Sequence, residues 1–407
     1  MTRIVITSTG TLGDFAPFVA LGRRLQARGH RVRMAVNPAM LPLAESAGLE
    51  AVPCGRLFGP AEARERAAVF DHWSRPSDEE IFNQWRDIEL GQSYFDLAEA
   101  CHGADLLIAS TIQAAAPMVH EKSGIPWVSV SLLPMEFPHA DGPDEPLTEQ
   151  DTRLWGELVD YLNQTRTALG FPCLSYHDWI SYPYSDSLVL LASSSHFSQP
   201  IPNHLPEARM TGFWFESHLG NWSPDDELLA FLDVVPKPLI LTFSSLPVQD
   251  ASRVLALHVE AAARLDRRLL VQRGWAHLDQ QALANRATGE RVFFVGPLPH
   301  AWLFQRVSAV IHHGGIGTTA QAMRCGRPML VEPYGNDQFF NARRILALGV
   351  GAAMHPHKLT VTGLARVLEE KVLTADVRRR ALELATGLQA EDGLTMACDL
   401  IEQQLGH

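Results

Sequence analysis

The run His312-His313-Gly314-Gly315-Ile316-Gly317-Thr318-Thr319 decides how this chain is read. It begins where a short apolar stretch, residues 309–312, ends, and it leads into a helix expected over residues 319–325, closed by Gly326-Arg327-Pro328. Strand, glycine turn and helix in that order form an anion cradle. Glycines let the backbone approach phosphate oxygens, and the first N–H groups of a helix have no acceptor inside it and donate to them. A histidine at the strand end adds a donor that can carry positive charge. The spacing matches neither the lysine-bearing G-x-x-x-x-G-K nor G-x-G-x-x-G. The expected ligand is a diphosphate ester other than a dinucleotide, or a nucleotide held without a P-loop. Adjacent residues of a strand point to opposite faces, so the histidine pair does not read as a metal site.

Outward from this motif, strand and helix signals alternate along the whole chain. Residues 3–8, 31–36, 106–110 and 127–131 are short β-rich runs of the kind buried in parallel sheets. Between the first two, Phe18, Val19, Leu21 and Leu25 stand at helical spacing over residues 15–27, and residues 113–122 read as a second helix. The pattern restarts with strands expected at 238–243, 268–272, 292–295, 309–312 and 329–332, and helices at 251–264, 301–305, 319–325 and 338–348. The fold class is α/β, with two doubly wound sheets. The expected division is an N-terminal domain at 1–215, a proline-bearing connection at 216–237, a C-terminal domain at 238–390, and residues 391–407, part of a last helix over 379–405, returning to the first domain. Such sheets bind ligands at the C-terminal ends of their strands, so the expected site is the cleft between the two.

Composition bounds the partners. The 407 residues suffice for two cores, and 46% apolar with 20% charged residues reads as an ordinary globular protein. A net charge of −12 argues against a nucleic-acid surface. Five scattered cysteines without a C-x-x-C fit a reduced, cytoplasmic setting. The N-terminus lacks a signal-peptide pattern, and no apolar stretch reaches transmembrane length, so stable membrane insertion is not expected. Arginine outnumbers lysine, which hints at a GC-rich bacterial genome.

The stretch from His313 through Gly314, Gly315, Gly317 and Thr318, then "CGRPMLVEP", Asp337-Gln338 and Asn341, closely resembles the donor-binding signature of the UDP-glycosyltransferase superfamily, family 1 of the GT-B fold. The opening "MTRIVITSTGTLGDFAPFVALGRRLQARGHRVRMAV", with "MTGFWF", "PLILTFSSLP" and "RVFFVGPLPHAWLF", resembles its bacterial branch of glycopeptide-antibiotic, sterol and rhamnolipid glycosyltransferases. The likeness covers nearly the whole chain and is weakest at 56–92 and 133–184. It implies a GT-B fold, two Rossmann-like domains facing across a cleft. His313 is then the diphosphate histidine, with Gly315, Gly317 and Thr318 beside it. Asp337 and Gln338 hold the donor sugar through a carboxylate and an amide. Ser245 stands near the β-phosphate, although Ser244 replaces the usual glycine. Trp275 and the stretch around Leu298 and His300 align with the pyrimidine pocket, or serve as core.

Asp14 follows the first strand in "TGTLGDFAP". It reads either as the N-cap of the helix that begins at Phe15, or as a general base at the strand end, oriented by Thr11. The resemblance implies the base. Phe58, Phe70, Trp73, Phe82, Trp85, Phe95, Trp155, Phe171, Trp179, Tyr182 and Tyr184 are core, or together line an apolar acceptor pocket. His355 and His357 flank a proline and read as solvated. No D-x-D occurs, no cofactor is implied and no metal is expected. The expected reaction is transfer of a sugar from a UDP- or dTDP-sugar to a small hydrophobic acceptor with inversion. The rivals are a sugar-nucleotide epimerase of the same architecture and a non-catalytic protein that keeps the fold.

Overall fold

A computed structural model describes residues 1–74, 90–133, 149–175, 178, 181–198, 206–215, 222–278 and 291–406. Phe82, Trp85, Trp179 and residues 216–221 lie outside it. Two compact units result: unit 1 is Met1–Gly59, Pro76–Glu216 and Asp392–His407, and unit 2 is Pro60–Arg75 and Ser217–Glu391.

Unit 1 opens with β1 (Arg3–Thr7), α1 (Leu12–Ala27), β2 (Arg31–Val36), α2 (Leu41–Ser46) and β3 (Glu50–Pro53). The short helix α3 (Pro60–Glu65) belongs to unit 2. Unit 1 continues with α4 (Leu90–Ala100), β4 (Leu106–Ser110), α5 (Ala115–Ser123), β5 (Trp127–Ser131), α6 (Glu149–Ala168), β6 (Val189–Leu191) and β7 (Ala208–Met210). Its sheet runs β3-β2-β1-β4-β5-β6-β7, every pair parallel. Every residue of β4 and β5 is buried, as a strand covered on both faces requires. Sequence order reverses between β1 and β4, so the switch point of this sheet lies beside the end of β1, four residues before Thr11.

Unit 2 follows with α7 (Asp226–Asp233), β8 (Leu239–Thr242), α8 (Ala251–Arg264), β9 (Leu269–Gln272), β10 (Val292–Val295), α9 (His300–Leu303), β11 (Ala309–His312), α10 (Ile316–Arg324), β12 (Met329–Val331), α11 (Asp337–Leu348), β13 (Gly351–Ala353), α12 (Val361–Val367) and α13 (Ala375–Ala390). Its sheet, β10-β9-β8-β11-β12-β13, is also wholly parallel and reverses between β8 and β11. Thr242 pairs with His312 there, so the segments after β8 and β11 leave the sheet side by side. Leu239, Leu241, Phe243, Leu255, Val271, Ile311, Leu330 and Leu364 belong to its core.

Several boundaries differ from expectation. Residues 60–74 group with unit 2 rather than with the first half. Residues 222–237, expected as part of the connection between domains, also belong to unit 2 and contain α7, whose first turn Asp225 caps by accepting the Leu228 N–H at 2.7 Å. The single last helix expected over 379–405 is two. It breaks after Ala390, and Asp392 restarts it as α14 (Gly393–Gln404), accepting the Thr395 N–H at 3.1 Å. α14 belongs to unit 1, where its Asp399 and Glu402 take the Arg28 guanidinium at 2.6 and 2.7 Å and Glu402 also takes the His30 ring at 3.0 Å. No described helix is long and apolar enough to cross a membrane.

Candidate functional site

β11 ends at His312, and the next three residues turn the chain into α10. Gly314 takes a φ of +100°, and a side chain there would meet Val331 at 2.8 Å. The helix begins at Ile316, three residues earlier than its sequence suggests, so Gly317 and Thr318 lie in its first turn. Its N-cap is Gly315, and no side chain caps it. The N–H groups of Ile316, Gly317 and Thr318 therefore have no acceptor within the helix, while Thr319 N–H already donates to Gly315 C=O at 3.0 Å. This is the positive end of a helix dipole in a partly exposed glycine turn.

The two histidines differ. His312 is wholly buried, its Nδ1 accepts the Gly314 N–H at 3.1 Å, and Nε2 is buried without a partner. It shapes the turn from within. His313 lies against the turn, with Nε2 close over Gly315 and Nδ1 buried without a partner. Burial lowers its pKa to about 3, helped by His300 nearby. The charged donor expected at this position is thus a neutral imidazole in the free protein, and its donating capacity is a single N–H.

β8 ends beside this turn. Ser244 keeps a left-handed backbone, φ +49°, although it is not glycine. Its carbonyl accepts the Trp275 N–H at 2.9 Å, and a side chain on Gly274 would stand 2.1 Å from that oxygen. Ser245, buried, and Trp275, half-buried, are so drawn to the ends of β8 and β9. Gln272 links them to the next loop. Its Oε1 accepts from Thr242 Oγ1 at 2.9 Å and from His300 Nε2 at 2.7 Å, and its Nε2 donates to Leu298 C=O at 3.2 Å. Burial holds the His300 pKa down to about 4. The ring stacks on Phe304 at 4.4 Å. His300, aligned by sequence with a pyrimidine pocket or with core, spends one nitrogen on the Gln272 side chain that also holds the loop at Leu298. Gln272 was not among the expected residues, because its role depends on pairing β9 with β8.

The third wall is the turn into α11. Asn341 Nδ2 donates to Gly314 C=O and to Asp337 Oδ2, both at 2.8 Å, and thereby ties this turn to the glycine turn. Gln338 Oε1 accepts the Tyr334 and Gly335 N–H groups at 2.8 and 3.2 Å. Its carbonyl is thus committed to the loop. Asn336 sits at φ +51°, strain of about 1–3 kcal/mol held by these bonds. Beneath it, Glu332 and His258 form a fully buried pair at 2.8 Å.

In unit 1, α1 begins at Leu12, with Thr11 as N-cap and Asp14 in the third position of the helix. Asp14 is therefore not the N-cap that the sequence allowed. Its Oδ2 accepts the Thr11 N–H at 2.7 Å and the Thr11 hydroxyl at 3.2 Å. Gly10, at φ +104°, makes room: a side chain there would stand 2.4 Å from Oδ2. Burial raises the carboxyl pKa to about 6, against the lowering effect of the Thr11 bonds.

Of the aromatic residues, Tyr94 and Phe171 belong to the core of unit 1, and Tyr182 packs against it. Phe70 packs against the core of unit 2, and Trp73 lies in that unit too. Among the described residues, no group of three or more His, Cys, Asp or Glu side chains is placed to hold a metal ion.

The description "Glycosyltransferase family 28 N-terminal domain" matches residues 4–136, and "Erythromycin biosynthesis protein CIII-like, C-terminal domain" matches residues 257–392. A sterol 3-beta-glucosyltransferase of Arabidopsis thaliana is 30% identical, with 99% of this chain and 68% of that protein covered. One of Aspergillus oryzae is 28% identical, with 99% of this chain but only 30% of that protein covered. Among solved structures, the kitacinnamycin glycosyltransferase superposes with a TM-score of 0.72 at 21% identity, covering 99% of both chains. The glycosyltransferase VinC, in complex with dTDP, does so with a TM-score of 0.70 at 20% identity, covering 100% of both. With family models matched in order in both halves, and a relative 30% identical of which the chain covers more than two thirds, the chain belongs to the GT-B glycosyltransferase superfamily.

Proposed function

We infer that the protein moves a sugar from a UDP- or dTDP-linked donor to a hydroxyl of a small hydrophobic acceptor, with inversion at the anomeric carbon. The observation that carries this is the uncapped N-terminus of α10, with His313 on one side and the Asn341-tied Asp337 turn on the other. Such an arrangement suits a diphosphate that bears a sugar. The N–H groups of 316–318 and His313 meet the charge that develops on the departing diphosphate, in a fixed array that needs no reorganisation. Asp337 and the Gln338 amide hold sugar hydroxyls. Ser245 lies toward the phosphates, and Trp275 with the loop at Leu298 takes the pyrimidine. Asp14, with a pKa near 6, accepts the proton of the acceptor hydroxyl as that oxygen bonds the anomeric carbon and the bond to phosphate breaks.

The sterol glucosyltransferase relatives favour a sterol or other lipid acceptor, and the dTDP carried by VinC keeps the thymidine donor in play. Five free cysteines fit action in the cytoplasm. The test is incubation with UDP-glucose or dTDP-glucose and a panel of sterols and polyketide aglycones. Mass spectrometry follows the product, and NMR reads the new anomeric centre. A β-linked glycoside from an α-linked donor is expected. Donor consumed without acceptor, giving an epimerised nucleotide sugar, would replace this reading with the epimerase.

A further inference from the structure

Residues 71–73 come from the first half of the sequence but are fastened to the turn that carries Asp337. Asp71, buried, takes the His357 Nε2–H at 2.5 Å and the Trp73 N–H at 3.1 Å. Trp73 Nε1–H donates to Pro333 C=O at 2.6 Å, and its ring stacks on His355 at 3.7 Å and meets the edge of Phe339 at 5.1 Å. His355 and His357, expected as solvated, are anchors of this strap. Between the two pinned residues, the His72 N–H donates to Tyr334 C=O at 2.9 Å.

The His72 side chain is thereby set over Gly335, two residues before Asp337. A Cβ on Gly335 would stand 2.8 Å from His72 Cδ2 and 3.0 Å from Nε2, so the glycine is what lets the ring lie there. The residue is exposed, and neither ring nitrogen has a hydrogen-bond partner among the described residues. Partial burial lowers the ring's pKa below the ordinary value, so at neutral pH it offers one N–H and one lone pair. A sugar hydroxyl, itself donor and acceptor, is the group that such a pair recognises.

We propose that His72 is a specificity-determining residue that hydrogen-bonds a hydroxyl of the donor sugar, held in register by the Asp71–His357 and Trp73–Pro333 links. This rests on the reading of 335–338 as the sugar-holding turn. It assigns sugar choice partly to a segment far in sequence from the diphosphate motif.

The test is calorimetric binding of UDP, UDP-glucose, UDP-galactose, dTDP and dTDP-glucose to the whole chain and to His72→Ala, His72→Gln and Gly335→Ala. His72→Ala should weaken the preferred nucleotide sugar about five- to tenfold, the worth of one hydrogen bond to a neutral group, and leave the free nucleotide unchanged. The glucose-to-galactose preference should narrow, and His72→Gln should recover part of it. Gly335→Ala should mimic the loss when His72 is present and add little to His72→Ala. An unchanged sugar preference in His72→Ala, or an equal loss for UDP and UDP-sugar, would overturn the proposal while leaving the donor reading intact. A wild-type chain that binds none of the five would overturn both.

Discussion

The His313 ring fills the space that a side chain on Gly315 would need, with Nε2 2.5 Å from where that Cβ would stand. The glycine therefore serves His313 as much as it serves the phosphate. Two variants separate the effects. His313→Ala removes one donor and should weaken both UDP and UDP-sugar, with a further drop in turnover of about 10- to 100-fold from a less stabilised leaving group. Gly315→Ala forces the ring aside and crowds the free N–H groups, so its loss in nucleotide affinity should be the larger. Titration with UDP alone checks this, and unchanged UDP affinity in both variants would place the diphosphate elsewhere.

Asp14 is destabilised as a carboxylate by the burial that tunes it. Its folded pKa of about 6 lies above the unfolded value. The native state thus holds its proton more tightly, and stability is lost as pH rises through 6. Asp14→Asn, which keeps an oxygen for Thr11, should therefore raise the melting temperature at pH 7.5 while cutting turnover about 100-fold or more. In the wild type, kcat/KM should fall below pH 6 as the base takes a proton. Thr11→Val removes one bond that favours the carboxylate, so that limb should move to higher pH. Turnover retained in Asp14→Asn would leave the residue a helix-end group.

The parts of this protein that sequence made legible are those written locally. A strand with three or more successive apolar residues between turn signals, such as Leu106–Ser110 or Ala309–His312, announces itself, and so does the glycine run after the second. Glu50–Pro53, Val189–Leu191, Ala208–Met210 and Gly351–Ala353 are too short to show a period, and only pairing with a neighbour makes them strands. The same limit hid the site's second layer. Gln272 gains its role from Thr242 and His300, and Gly274 from the Ser244 carbonyl. The strap at 71–73 closes through His357, 286 residues away from Asp71, a separation that no local window spans.

Asp337 should matter to the sugar and little to the nucleotide. It is tied through Asn341 to the glycine turn, while the Gln272 network holds a different loop, the one at Leu298. Asp337→Ala should weaken UDP-glucose by tenfold or more, about the loss of a hydrogen bond to a charged group, and UDP hardly at all. Competition of the two ligands against a fluorescent nucleotide would read the difference directly. Equal losses would contradict the placement.

Ser244 holds a left-handed backbone that glycine adopts without penalty. Ser244→Gly should therefore leave the Trp275 tie intact and stabilise unit 2 by about 1 kcal/mol, less the entropy that glycine adds to the unfolded chain. Denaturant midpoints at matched slopes check this. A lower midpoint would mean that the Ser244 side chain holds the loop by bonds that outweigh the strain.

The buried pair under the Asp337 turn gives stability its own pH signature. His258 Nδ1–H donates to Val254 C=O at 2.7 Å, and Nε2–H donates to Glu332 at 2.8 Å, so the imidazole is held with both protons. Burial opposes the charge, but the Glu332 carboxylate outweighs it, and the His258 pKa is raised above 6.5. A raised folded pKa means stability that is fully present below 6.5 and lost as pH rises through the folded value. Glu332 Oε2 is buried without a partner, and Tyr334, a nearby titratable group, has its own pKa pushed well above 10 by burial. The slope as pH rises above 6.5 should thus trace largely to His258. Glu332→Gln keeps an acceptor for Nε2–H but removes the charge, so it should flatten that slope and cost about 3 kcal/mol at pH 6.5, the usual penalty for breaking a buried pair. His258→Leu with Glu332→Met should recover much of this loss at every pH, since apolar replacement of a buried pair is often neutral. A slope that survives Glu332→Gln would mean that the pair is not charged.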